Sequence, residues 1–147
     1  MTKDVIVSIS GLQADIDREN PLEVITTGSY YFKNGKHYVL FDELLDDSLI
    51  PTQNTIKISD HRVDVIKRGE QNVHMVSEPD MKNVTCYDTP YGSMMLGINT
   101  LNIRHEDDPL HIRTSIDYAL EVNDAHISDC MLQIDIKSSE FGDFHLN

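Results

Sequence analysis

The sequence predicts an all-β protein, an antiparallel up-and-down meander of about ten strands that closes into a barrel and forms one domain over residues 1–147. Three observations predict this fold. Apolar and polar residues alternate without a break from Leu110 to Val122, as in a long strand with one buried face. Asn34-Gly35 separates two strand-like runs and is a strong hairpin signal. Turn signals divide the rest of the chain, and no segment shows a convincing helical apolar stripe.

The first half of the chain contains the hairpin. A run from 5 to 10 precedes an acidic stretch, and the hairpin strands are predicted at 23–33 and 36–43. A type I′ turn at Asn34-Gly35 fixes their register, so that Lys33 faces Lys36. One face then carries Tyr30, Phe32, His37, Val39 and Phe41, and the other carries Tyr31, Tyr38 and Leu40. Residues 44–50 form a candidate helical turn that Pro51 stops.

The second half of the chain adds shorter runs and two long ones. Strands are predicted at 55–59, 62–67, 71–77, 83–87, 94–104, 110–122 and 127–137. The apolar phase of 94–104 shifts by one residue near Asn99-Thr100, which predicts a β-bulge. The short links require antiparallel neighbours, and closure into a barrel removes the exposed sheet edges.

Composition limits the classes of partner. Twelve Lys and Arg residues stand against 25 Asp and Glu, a net charge of −13 that repels nucleic-acid phosphates and anionic lipid surfaces. No segment approaches the roughly 20 apolar residues of a membrane-spanning helix, and Met1–Asp4 enters a strand pattern without the apolar run of a signal peptide. We therefore expect a cytoplasmic protein that binds neither nucleic acid nor membrane. Cys86 and Cys130 are expected to be buried thiols and not a disulfide.

No residue pattern predicts a cofactor, a metal site or catalytic residues, and the sequence favours a protein that is not an enzyme. The seven histidines lie on different predicted elements and form no HxH or HExxH pattern. His105 beside Glu106, Asp107 and Asp108 comes closest to a ligand cluster, but it lacks the spacing of a calcium loop or a zinc site. A nucleophile elbow and a glycine-rich phosphate loop are also missing from the sequence.

Several strand and turn patterns resemble those of the YwiB-like family of uncharacterised bacterial β-barrel proteins. The similar segments are 26–31, 56–59, 65–69, Pro90-Tyr91-Gly92 leading to Thr100, and 115–118. The resemblance covers about residues 5–137 and implies a calycin-like (lipocalin-like) barrel. It implies no activity, and it assigns no functional residue.

The barrel interior is the remaining candidate site. If the apolar face of 110–122 points inward, Thr114 and Tyr118 add hydroxyl groups to it, and Tyr30 or Tyr31 joins them according to which hairpin face is internal. Arginines are scarce in this acidic chain, so an inward Arg104 or Arg113 would recognise an anion, whereas an outward one would form a surface ion pair.

The candidate ligand-binding residues are therefore Tyr30, Tyr31, Arg104, Arg113, Thr114 and Tyr118. They support the hypothesis of a barrel that holds a small apolar or amphipathic molecule in its lumen. A core filled by its own side chains is one alternative. A protein-interaction module or a homodimer that acts through the aromatic hairpin 23–43 is another.

Overall fold

A computed structural model describes residues 3–11, 23–43, 51–69, 72–89 and 92–139. These ranges contain ten antiparallel strands, which confirms the all-β prediction. The strands are β1 Asp4–Ser10, β2 Glu23–Lys33, β3 Lys36–Glu43, β4 Thr52–Ser59, β5 Arg62–Arg68, β6 Val73–Ser77, β7 Lys82–Thr89, β8 Gly92–Asp108, β9 His111–Val122 and β10 Ala125–Ser138. The predicted helical turn at 44–50 lies outside the described residues. Within these ranges the structure has no helix of the length and apolar character that a membrane crossing needs.

The ten strands form one sheet that curls into a nearly closed barrel. Their order is β6-β5-β4-β3-β2-β1-β10-β9-β8-β7, so every strand except β6 and β7 pairs with both of the strands beside it in the chain or, for β1 and β10, with each other. Closure comes from the pairing of β1 with β10, in which Val5 lies opposite Ser138. Strands β6 and β7 lie side by side at the remaining seam. The predicted meander is therefore confirmed, and the seam falls between two consecutive strands.

The hairpin of β2 and β3 has the predicted register. Lys33 lies opposite Lys36, and Tyr31 lies opposite Tyr38. Asn34 and Gly35 have φ values of 54° and 75°, as a type I′ turn requires. This register places His37 on the inner face of the barrel, where it is 8% exposed.

A β-bulge in β8 confirms the predicted phase change. The pairing with β9 shifts between Thr100 and Asn102, which leaves Leu101 as the extra residue. Leu101 is 57% exposed, although its apolar side chain predicted a place on the buried face. Before the bulge, Leu96, Ile98 and Thr100 face the interior. After it, Ile103, His105 and Asp107 lie opposite buried residues of β9, so the odd-numbered residues take the inner face.

The interior of the barrel is packed with aliphatic side chains. Side chains with 0% exposure come from five different strands, namely Val7, Val39, Ile58, Ile116, Ile134 and Ile136. A side chain that lined a water-sized cavity would keep accessible surface, so the space around these residues is filled. Thr114 and Tyr118, which are 0% and 6% exposed, are part of this packed interior. Burial of each such aliphatic side chain contributes about 1.5–3 kcal/mol to folding.

Two further predictions about burial, those for Leu110 and for the cysteines, were wrong. Leu110 precedes β9 and is 46% exposed, because it lies in the turn between β8 and β9. Cys86 is exposed and Cys130 is half-buried. Cys86 lies opposite Met95, which is also exposed, so this part of β7 turns its sulfur to the outer surface. Apolar residues on both faces of β7 hide this orientation from sequence reasoning.

Candidate functional site

Polar side chains from four strands converge at one end of the barrel, beside the β2–β3 and β8–β9 turns. We call them the mouth cluster, which consists of Tyr30, His37, His105, Asp107 and Thr114. These side chains contrast with the aliphatic residues, such as Ile116 and Ile134, that fill the middle of the barrel. A buried or half-buried group of titratable side chains is a candidate functional site.

Two features of the sheet bring the cluster together. The I′ turn sets the hairpin register that turns Tyr30 of β2 and His37 of β3 inward. The bulge at Leu101 does the same for His105 and Asp107, which would face outward if β8 kept its earlier phase. Thr114 of β9 lies directly opposite His105.

Hydrogen bonds connect the five residues in two sets, Tyr30–His37–Asp107 and His105–Thr114. The Tyr30 hydroxyl is 2.8 Å from Nδ1 of His37, and Nε2 of His37 is 2.9 Å from Oδ2 of Asp107. Nδ1 of His105 is 3.0 Å from the Thr114 hydroxyl. The two imidazole rings have centroids 5.8 Å apart. Each histidine therefore has one ring nitrogen that is oriented by a hydroxyl group.

The cluster reaches from the packed interior to solvent. Thr114 is completely buried, while the Asp107 side chain is 46% exposed. Phe32 is 60% exposed, and its ring centroid lies 5.0 Å from that of His37. Burial, and secondarily the negative charge of Asp107, raises the pKa of Tyr30 above its ordinary value. A small ligand could thus contact the cluster without entering the barrel.

The chemistry of this cluster suits a cation. His37, His105 and Asp107 each offer one nitrogen or oxygen atom, and these three atoms lie within 4.8 Å of one another. Imidazole and carboxylate are common ligands of divalent transition metals, and the carboxylate also attracts organic cations. Within the described ranges, no other group of three such side chains converges in this way.

The sequence-predicted site residues are divided between the interior and the outer surface. Tyr30 and Thr114 belong to the mouth cluster. Tyr118 lies in the core near Cys130, and burial raises its pKa. Tyr31 lies on the outer face, where its ring stacks on that of Tyr38 with a centroid distance of 4.7 Å.

Arg104 and Arg113 lie on the outer surface and do not line the interior. Arg104 pairs with Asp117 at 2.7 Å, and Arg113 pairs with Asp135 at 3.0 Å. About half of each arginine side chain is exposed. The outward position of Arg104 follows from the bulge, because the even-numbered residues after Leu101 take the outer face. Both arginines therefore form surface ion pairs, which is the second of the two alternatives that the sequence left open for them.

Sequence reasoning missed His37 and the way in which it meets His105 and Asp107. The predicted hairpin already placed His37 on one face with Val39 and Phe41, which are core residues. The predicted bulge carried the other half of the signal, since it determines which residues of the 105–108 acidic segment turn inward. The hairpin register and the bulge, taken together, would have placed His37, His105 and Asp107 on the inner face.

A second concavity lies on β1, β2 and β3, away from the mouth cluster. It is an open groove of about 650 Å³ that Gly28, Leu40, Phe41 and several polar residues line. Its polar lining includes Asp4 and Asp42. The groove lacks a buried titratable group among its described residues, so it presents a weaker candidate than the mouth cluster.

Comparisons with known proteins give consistent findings. The sequence model of the DUF1934 family, a domain of unknown function, matches residues 7–134. The uncharacterised β-barrel protein YwiB of Bacillus subtilis is 25% identical over 120 residues, which cover 82% of this chain and 83% of that protein. The crystal structure of YwiB from the same organism has a TM-score of 0.77 at 22% identity and covers 92% of each chain. The structural likeness confirms the barrel fold.

Proposed function

Because the chain belongs to the DUF1934 family, a domain of unknown function, we propose its role from the mouth cluster: the barrel is a binding protein that holds a small cationic ligand there. One observation carries the proposal. Two imidazole nitrogens and a carboxylate oxygen converge within 4.8 Å at the solvent-facing end of a packed barrel. The net charge of −13 adds a long-range field that draws cations towards the protein.

The proposal moves the ligand from the lumen to the mouth. The interior around Thr114 and Ile116 has no accessible surface, so a lumenal ligand would have to displace packed side chains. Phe32 instead offers an exposed apolar ring next to His37. An amphipathic ligand fits this arrangement if its cationic group contacts Asp107 and its apolar part covers Phe32.

Histidine side-chain NMR tests the proposal. The probe is benzylammonium, which combines a cation with an aromatic ring, and benzyl alcohol serves as the neutral comparison. Benzylammonium should shift the ring signals of His37 and His105 while leaving those of His126 unchanged, because His126 lies on the exposed β9–β10 hairpin. Asp107→Asn should weaken this response at least tenfold.

Two further outcomes decide the test. Phe32→Ala should weaken benzylammonium binding, whereas Ile25→Ala, which removes another exposed apolar side chain of β2, should not. If neither benzylammonium nor a divalent metal ion perturbs His37 or His105 at millimolar concentration, the mouth cluster is not a cation site.

The outer face of the β2–β3 hairpin supports a second candidate function, self-association with a second copy of the chain. Tyr31 and Tyr38 stack there with an interplanar angle of 6°, and Nζ of Lys57 lies 5.7 Å from the Tyr38 ring centroid. Lys33 and Lys36 share this face. Such a basic aromatic surface is complementary to the acidic surface that predominates on another copy.

Sedimentation velocity distinguishes this second candidate. The unmodified protein should show a dimer that dissociates as the salt concentration rises. Tyr31→Ser combined with Lys57→Ser should give a monomer, while Ile25→Ser should remain dimeric because it alters an exposed apolar residue outside the stacked pair. A monomer at high protein concentration and low salt would remove this candidate.

A further inference from the structure

We infer that the cation at the mouth cluster is a divalent first-row transition metal ion, bound by His37, His105 and Asp107. This inference rests on the proposed function and names the class of ligand. The three side chains come from β3 and from the final part of β8, which lie on different sides of the barrel. A bound ion would therefore connect two walls of the fold.

The ligand set defines the class of ion. Two imidazoles and one carboxylate make a three-residue site that leaves coordination positions open for water or another ligand. Magnesium and calcium prefer sites made of oxygen ligands, so two imidazoles select against them. The partial exposure of Asp107 gives an ion a path from solvent.

Outer-shell hydrogen bonds orient the two histidines for this role. The hydroxyls of Tyr30 and Thr114 contact Nδ1 of His37 and His105, at 2.8 Å and 3.0 Å respectively. When an ion replaces the proton between Nε2 of His37 and Asp107, Nδ1–H can donate a hydrogen bond to the hydroxyl. Each Nε2 then has its lone pair available for the metal ion. Metal-binding histidines are typically held by such a partner on the second ring nitrogen.

The other His–Asp pairs among the described residues make the comparison specific. His126 and Asp129 lie 3.1 Å apart on the exposed surface, His111 and Asp135 lie 3.1 Å apart beside Arg113, and His74 and Asp64 lie 2.7 Å apart. None of these three pairs has a second histidine within reach among the described residues. A carboxylate–imidazole contact alone is therefore common in this chain, and the second histidine is what distinguishes the mouth cluster.

Metal titration of the untagged, metal-depleted protein tests the inference. Zn²⁺ binding is measured by calorimetry, and Co²⁺ binding by the visible absorption of a low-coordinate cobalt site. We expect one ion per chain. Thr114→Val should weaken binding by roughly 10–100-fold through loss of the outer-shell hydrogen bond. His105→Gln and Asp107→Asn should each weaken it by more than that, because they remove ligands.

His126→Gln is the matched control, since it removes a histidine from an exposed His–Asp pair and should leave the affinity unchanged. Thermal unfolding of every variant without metal shows whether the fold is intact. Zn²⁺ should raise the melting temperature of the unmodified protein and of His126→Gln, but not that of His105→Gln or Asp107→Asn.

The outcomes separate this inference from the proposed function. Absence of Zn²⁺ and Co²⁺ binding at millimolar concentration overturns the metal site, and so does binding that survives both His105→Gln and Asp107→Asn. If benzylammonium still shifts His37 and His105 in that case, the mouth remains a cation site and only the metal is wrong. If neither probe acts on the cluster, both proposals fail.

Discussion

The hydroxyl of Tyr30 lies 2.8 Å from Nδ1 of His37, and the other ring nitrogen of the same histidine lies 2.9 Å from Asp107. One imidazole thus links the hairpin to the far end of β8. Because Asp107 keeps its negative charge close to Tyr30, the cluster disfavours a second negative charge on the phenol. The pKa of Tyr30 therefore depends on the charge of Asp107.

The ionisation of Tyr30 should respond to Asp107. Burial and the Asp107 charge both raise the pKa of Tyr30, so Asp107→Asn should lower that pKa while leaving the part caused by burial. Titration of the Tyr30 ring carbon by NMR measures the change. Asp117→Asn, which removes a carboxylate on the outer surface, should have no comparable effect. An unchanged Tyr30 pKa in Asp107→Asn would show that the two groups are not coupled.

Core and bulge positions should differ sharply in their effects on stability. Ile116 is completely buried, so Ile116→Ala should lower the free energy of unfolding by about 2–5 kcal/mol. Leu101→Ala removes an exposed side chain and should change the same quantity by less than about 0.5 kcal/mol. Urea unfolding measures both. A large loss for Leu101→Ala would mean that the bulge residue packs against something other than solvent.

Thr100 and Thr114, which are both buried on the inner face, should respond in opposite ways to valine. The Thr100 hydroxyl is buried without a hydrogen-bond partner among the described residues, whereas the Thr114 hydroxyl contacts His105. Thr100→Val should therefore raise the free energy of unfolding by up to about 1 kcal/mol, and Thr114→Val should lower it by about 0.5–1.5 kcal/mol. Equal destabilisation of both variants in thermal unfolding would argue against this difference in hydrogen bonding.

Asp64 should contribute to the loss of stability in acid. Burial alone would raise its pKa, but hydrogen bonds from Arg62 and His74 outweigh burial and lower the pKa below the ordinary aspartate value. A group with a lowered folded pKa stabilises the protein above its unfolded pKa of about 3.9, and this contribution disappears as the pH falls through the folded value.

Asp64→Asn should therefore reduce stability near neutral pH and flatten the decline below about pH 4. Urea unfolding from pH 7 to pH 2.5 measures the two slopes. Asp129→Asn is the comparison variant, because the Asp129 side chain is 81% exposed and should leave the profile close to that of the unmodified protein. An acid profile that Asp64→Asn does not alter would contradict the assignment.

Gly28 and Gly35 should tolerate alanine to different degrees. A Cβ at Gly28 would lie 2.8 Å from the Leu40 carbonyl oxygen, so the backbone of β3 would have to shift. Gly35 has open space around it and only its positive φ opposes a side chain, at a cost of about 1–2 kcal/mol. Gly28→Ala should be the more destabilising change in urea unfolding. The reverse order would indicate that β2 and β3 separate easily at Gly28.

Short sequence patterns alone predict much of the fold. The Asn34-Gly35 turn alone determines which residues of the hairpin pair, and the phase change in 94–104 reveals a bulge without knowledge of the partner strand. Burial along β9 follows the alternation of apolar and polar residues. Leu110 is the exception, because it belongs to the turn before β9. Two-sided apolar strands such as β7 offer no such rule, which is why the exposure of Cys86 was not foreseen.

The mouth cluster depends on geometry that no local rule contains. His37 and Asp107 lie far apart in the sequence and meet because the end of β8 reaches across the barrel to the hairpin. The sequence singled out the segment 105–108 as a linear group, whereas only alternate residues of that segment contribute to the cluster. Of the two alternatives for the interior, the side chains around Thr114 and Tyr118 favour a packed core, because inward residues of β9 and β10 are large and aliphatic.

The pairing of β1 with β10 has a consequence for how the molecule acquires its shape. Strands β1 to β6, and then β7 to β9, can pair in sequence while the chain emerges from a ribosome, but the second edge of β1 must wait for β10. Contacts between distant parts of a chain form slowly because loop closure costs entropy before they can compensate for it. Barrel closure should therefore be the late step of biosynthesis, and until β10 forms, the unpaired edges of β1 and β9 are exposed to aggregation.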